Sequence, residues 1–135
     1  MGQEELVTEK TAEQIATEKA KQEKFDAIKL AAHDTAQALS IQFGVKVHEL
    51  FVIKDDELIV GYIKEPGMRN KMAAVNLLSR EQLDACGELI IRTSLLPEQS
   101  DSRLVEGGGD DDVYVSACFA CNQFVKFYAS EVKKN

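Results

Sequence analysis

Proline and histidine are scarce in this chain, with two of each among 135 residues. The prolines stand at Pro66 and Pro97, and no glycine lies between Gly2 and Gly44. Nothing before Gly44 therefore interrupts a helix. His33 and His48 are 15 residues apart, and neither sits beside a glycine elbow. No nucleophile, base and orienting group can be assembled around them, so no catalytic residue is assigned. Cysteine occurs three times, at Cys86, Cys118 and Cys121, an odd number that does not make a disulfide framework. Cys118-Phe-Ala-Cys121 has CxxC spacing, yet a structural zinc needs four ligands and no second pair is present. The thiols are read as buried and free, and no metal or cofactor is expected.

Clustered lysine and arginine are also missing, and the net charge is −7. That balance excludes a nucleic-acid backbone as the natural partner. Long apolar runs are missing too: the longest is five or six residues, too short for a membrane span. The start, Met1-Gly2-Gln3-Glu4-Glu5, has no apolar signal region. Leu6 stands where a myristoylated N-terminus carries Ser or Thr. The expected setting is the cytoplasm, and the length is one domain's worth.

What the chain does have is an acidic glycine-rich turn, Glu106-Gly107-Gly108-Gly109-Asp110-Asp111-Asp112, opening into an aromatic apolar helix. Residues 98 to 112 hold six acids against Arg103 alone, which is −5 of the total −7. The turn lacks the Lys and Ser/Thr of a phosphate loop, and its acids would repel phosphate. It also lacks the alternating carboxylates and terminal Glu of a calcium loop. Glu106, Asp110, Asp111 and Asp112 are read as a solvated acidic surface, and the aspartate before Val113 as the helix cap.

The remaining pattern is α+β and mainly helical: a long N-terminal helix, one β-hairpin, then three helices. Residues 4 to 40 are rich in Ala, Glu, Lys and Gln. Ten of the 21 residues from Glu4 to Lys24 are charged, so residues 1–24 form a polar arm that buries little alone. Residues 25–135 form a single globular domain. Phe25, Ile28, Ala32, Ala36 and Leu39 give the helix its packing stripe.

Val45, Val47, Phe51 and Ile53 share one parity, answered by Leu58, Val60 and Tyr62 after Lys54-Asp55-Asp56-Glu57. These are the marks of a hairpin that needs a covering layer. Pro66 starts a second helix, and Ser79-Arg80-Glu81-Gln82 has capping-box form, predicting a third helix from Arg80. Gly87 inside that helix costs about 1 kcal/mol relative to Ala and points to close packing. The last helix is predicted to run to about Val132 with a wide apolar arc.

Taken in order, the hairpin running into Tyr62-Ile63-Lys64-Glu65-Pro66-Gly67-Met68-Arg69, the two-helix stretch and the acidic turn entering Asp112-Val113-Tyr114 resemble tail-assembly-chaperone-like proteins of bacteriophages and prophages. The resemblance covers roughly residues 45 to 124. The tryptophan of the segment before the acidic turn is absent, and the loop from Leu96 to Glu106 is longer. It implies a non-enzymatic protein that holds a tape-measure or other tail protein soluble in the host cytoplasm, and that forms a homo-oligomer. Phe119, Phe124, Phe127 and Tyr128 are the expected partner contacts, with the N-terminal arm used for self-association. The alternative is an acidic interaction or inhibitor protein of a mobile element that engages a basic partner by nucleic-acid mimicry.

Overall fold

Thr11 opens the first described helix through a reciprocal cap. A computed structural model describes residues 11–125. Thr11 Oγ1 accepts the Gln14 amide at 3.1 Å, and the Gln14 side chain accepts the Thr11 amide at 3.0 Å. Helix α1 (Ala12–Phe43) follows and stops at Gly44, whose φ of 71° lets its amide reach the Ser40 carbonyl. At 1.5 Å per residue, α1 is about 48 Å long. Residues 12–20 are all exposed, and Phe25 is the first buried side chain among the described residues. From Ala12 on, the arm and the packed stripe distinguished in the sequence share one helix. Thr11, with ψ 156°, is extended, so the unbroken helix expected from residue 4 is interrupted there, and residues 1–10 lie outside the described residues.

Strands β1 (Val47–Lys54) and β2 (Glu57–Lys64) pair antiparallel within the chain. Asp55 takes φ 54° in the two-residue turn between them, a conformation that aspartate tolerates. Both faces of the hairpin are covered, which is how two strands persist in water. On one face Val47, Phe51, Val60 and Tyr62 meet Ala32, Ala36 and Leu39 of α1, with Leu96. On the other, Leu50, Val52, Ile59 and Ile63 enter the main core with Ile90, Leu104, Val113 and Ala117.

The single apolar face expected from parity is therefore half of the arrangement, and Val45 and Ile53 are exposed. Near-continuous apolar runs such as Leu50–Ile53 belong to strands buried on both sides.

Three helices complete the core: α2 (Met68–Ser79), α3 (Leu83–Ser94) and α4 (Asp111–Ala120), with residues 122–125 helical again. Three predicted starts are corrected. Helix α2 begins at Met68, capped by Gly67, rather than at Pro66. Ser79 ends α2, its hydroxyl donating to the Asn76 carbonyl, and α3 begins at Leu83 rather than Arg80. Leu77 and Leu78 pack against the core and hold that last turn helical; the break falls at Glu81, with φ 60°. The cap of α4 is Asp110, not Asp112: its carboxylate accepts the Val113 amide at 3.2 Å.

Helices α3 and α4 meet at Gly87, where a Cβ would lie 1.6 Å from the Cys118 carbonyl oxygen. The close packing predicted at this glycine is a backbone contact.

Candidate partner-binding surface

The acidic loop is fastened to the hairpin before it can act as a free surface. Leu104, in a short 3-10 turn (Ser102–Leu104), is fully buried and fills the space above Gly61. The Asp101 amide donates to the Val60 carbonyl at 3.1 Å, and the Leu96 amide to that of Tyr62 at 2.9 Å. Arg103 grips two carboxylates at once. Its guanidinium donates to both Glu57 oxygens at 2.8 and 2.9 Å and to both Asp101 oxygens at 2.8 and 2.9 Å. Hydrogen bonds from Arg103 hold both carboxyls below their usual range, and those bonds in turn raise the guanidinium.

Lys54, near the hairpin turn, pairs with Asp110, whose carboxyl is lowered by that bond first and by the Val113 amide second. Lys21 of α1 reaches Asp56 at 2.7 Å. Of the acidic residues singled out in the sequence, Asp110 is thus a structural anchor. Glu106, Asp111 and Asp112 are exposed. Gly108 is required by close approach, since a Cβ there would lie 1.9 Å from the Ser102 carbonyl oxygen.

The four aromatic residues assigned to partner contact separate. Phe119 is 50% exposed on α4, one turn from exposed Val115. Phe124 is half-buried: it packs against the core, and its ring lies 5.4 Å from that of His48. Phe127 and Tyr128 lie outside the described residues. Met68 and Met72, expected from the sequence to lie on the apolar face of α2 but not assigned to partner contact, are 71% and 66% exposed. Their spacing of four residues was the available signal, because it sets both on one helical stripe. A groove of about 470 Å³ runs along Leu77, Ala85 and Leu89 between α2 and α3. A second cleft, of about 250 Å³, is walled by Ile91, Leu95, Pro97, Val105 and Tyr114. Burial first, then the neighbouring Cys118 and Glu88, pushes the Tyr114 phenol up to about 12.

Both histidines hold elements together. His33 Nδ1 lies 2.8 Å from Glu49, which links α1 to β1, and its Nε2 lies 3.2 Å from the Gln37 side-chain Nε2 within α1. His48 Nε2 lies 2.9 Å from Glu65, which also takes Lys71 at 3.0 Å. Burial pushes the Glu65 carboxyl up, but the bonds from His48 and Lys71 together outweigh it and leave it lowered. Cys86, Cys118 and Cys121 are buried free thiols, all raised by burial. Among the described residues no three His, Cys, Asp or Glu side chains are grouped to hold a metal ion. No described helix is long and apolar enough to cross a membrane. No family model matches this chain, and neither a curated protein nor a solved structure does.

Proposed function

We propose that this chain is a non-enzymatic assembly chaperone of the phage-tail type. It holds a long, largely helical client such as a tape-measure protein in solution and self-associates while doing so. The observation that carries this reading is the set of apolar side chains left in water at helical spacing: Met68 with Met72 on α2, and Val115 with Phe119 on α4. Unbranched methionines adapt to clients of irregular shape, and a stripe of this kind suits the apolar face of an amphipathic helix. The α2–α3 groove adds Leu77, Ala85 and Leu89 beside a polar rim of Glu88, Arg92 and Thr93. The exposed N-terminal part of α1, with Ile15 in water, supports the self-associating half of the reading.

Mimicry of nucleic acid draws less support. A mimic needs free carboxylates spread over a face, whereas Asp101 and Asp110 are neutralised by Arg103 and Lys54.

The test is co-expression with the tape-measure protein of the same genome. The client should be soluble in the presence of this chain and return to the pellet when Phe119→Asp and Met72→Asp are combined. A client equally soluble without the chain would sink the proposal. Salt-sensitive capture of a basic protein in its place would favour the acidic alternative.

A further inference from the structure

The hydrogen-bond register of the hairpin leaves one strand edge without partners. The Glu65 amide donates to the Lys46 carbonyl at 2.8 Å, and Lys54 faces Glu57 across the two-residue turn. Bonded and non-bonded pairs alternate in an antiparallel ladder. His48, Leu50, Val52 and Lys54 therefore turn their main-chain groups toward β2, while Glu49, Phe51 and Ile53 turn theirs outward.

On β2 the same alternation turns Val60 and Tyr62 outward, and there the edge is closed. The Val60 carbonyl takes the Asp101 amide, the Tyr62 carbonyl takes the Leu96 amide, and the Tyr62 amide donates to Ser100 Oγ at 3.0 Å. On β1 the Val47 amide donates to Ser40 Oγ at 2.9 Å. Beyond it, no group among the described residues bonds the amide or carbonyl of Glu49, Phe51 or Ile53. The pairing with β2 is continuous, so no bulge turns this edge away, and no proline interrupts it.

We propose that β1 of a second copy of this chain completes the edge. The two strands pair antiparallel about a two-fold axis at Phe51, making a four-stranded sheet in the order β2–β1–β1–β2. Self-complementarity selects this occupant. The register centred on Phe51 sets Glu49 opposite Ile53 and Phe51 opposite itself, so the outward groups of Glu49, Phe51 and Ile53 in both copies are engaged by about six main-chain bonds. Centring on Leu50 instead would place Lys46 against Lys54, and centring on Val52 would place Glu49 against the turn residue Asp55.

Helix α1 agrees with this arrangement. Lys29 stands 5.8 Å from the Phe51 ring and His33 reaches Glu49, so α1 runs beside β1. On the stripe that carries His33 and Gln37 lie Leu30, 65% exposed, and Ile41, also in water. A two-fold at Phe51 brings the two Leu30 side chains to the same level and offers them a cover. This inference does not depend on which client the protein holds.

Ile53→Pro tests it, because the lost amide points outward and takes no part in the ladder with β2. Ile53→Thr is the control that keeps the amide. Light scattering after size-exclusion chromatography, over a range of concentrations, should give dimers for the wild type and for Ile53→Thr. Ile53→Pro should raise the dissociation constant at least about tenfold.

Amide hydrogen exchange on the wild type gives a readout that survives any misfolding of the proline variant. The amides of Glu49, Phe51 and Ile53 should lose protection on dilution, while those of Leu50 and Val52 stay protected. A wild type that is monomeric at every concentration overturns the proposal. So does a dimer whose three outward amides exchange freely, or protection that appears only with an extended peptide of another protein.

Discussion

Gly87→Ala places a single methyl group where two helix backbones touch. In an exposed helix the change would stabilise by about 1 kcal/mol, because alanine restricts the unfolded chain and favours the helix. Here the added carbon would lie 1.6 Å from the Cys118 carbonyl oxygen and 2.4 Å from its carbonyl carbon. A carbon–oxygen contact of roughly 3.3 Å is the ordinary limit, so the helices must part by about 1.5 Å.

The obstacle is main chain, which no rotamer change can relieve. Parting α3 from α4 also loosens Cys86, Ile90, Val113, Ala117 and Cys121, all buried together. The expected net loss is about 3 kcal/mol, an overpacking cost that exceeds the helix gain. For a domain whose total stability is of order 5–15 kcal/mol, that is a large fraction. Urea unfolding followed by circular dichroism measures it. Gly67→Ala serves as the control, since a Cβ there meets nothing within 4 Å. A Gly87→Ala protein as stable as the wild type would refute the close crossing of α3 and α4.

Three further outcomes follow from the loop and the core. Leu104→Ala empties the space above Gly61 and should cost about 3 kcal/mol in the same assay. Arg103→Gln removes the double carboxylate grip, so amide exchange from residues 98 to 108 should quicken while α3 keeps its protection. Acid should release the same loop. Asp101, Asp110 and Glu57 are lowered in the folded protein, so their stabilisation is complete above the unfolded carboxyl values near pH 4 and is lost as pH falls through the folded ones. Lys54 is raised, so its share persists below its unfolded value, about pH 10, and fades as pH rises through the folded one. A pH series of thermal midpoints should therefore be flat from about pH 5 to 8 and fall on the acid side. It should fall again above about pH 8.5, as the unfolded thiols ionise while burial keeps the folded ones protonated. A midpoint still flat at pH 2.5 would contradict the loop's ion pairs.

Helices and turns were readable from local chemistry. Helix α1 follows from a long stretch free of Gly and Pro, and its end follows from Gly44. The hairpin turn follows from aspartates flanked by β-branched residues. The paired burial of Phe25, Ala32, Ala36 and Leu39 follows from their helical spacing. Such features depend on residues within a turn or two of one another, so composition and period suffice to find them.

Features that depend on distant partners were not readable in this way. Ser79-Arg80-Glu81-Gln82 has a capping pattern, yet contacts of Leu77 and Leu78 with the core keep Ser79 inside α2. Three aspartates in a row offer three caps, and Lys54, 56 residues away, is bound by Asp110. Of the aromatic residues assigned to partners, Phe119 remains in water, whereas Phe124 turns its ring to His48. The open edge of β1 is a matter of register and of what covers each strand, and neither is written in the strand's own residues. Local propensity names the elements; long-range packing chooses their ends, their buried faces and the surfaces left to meet a partner.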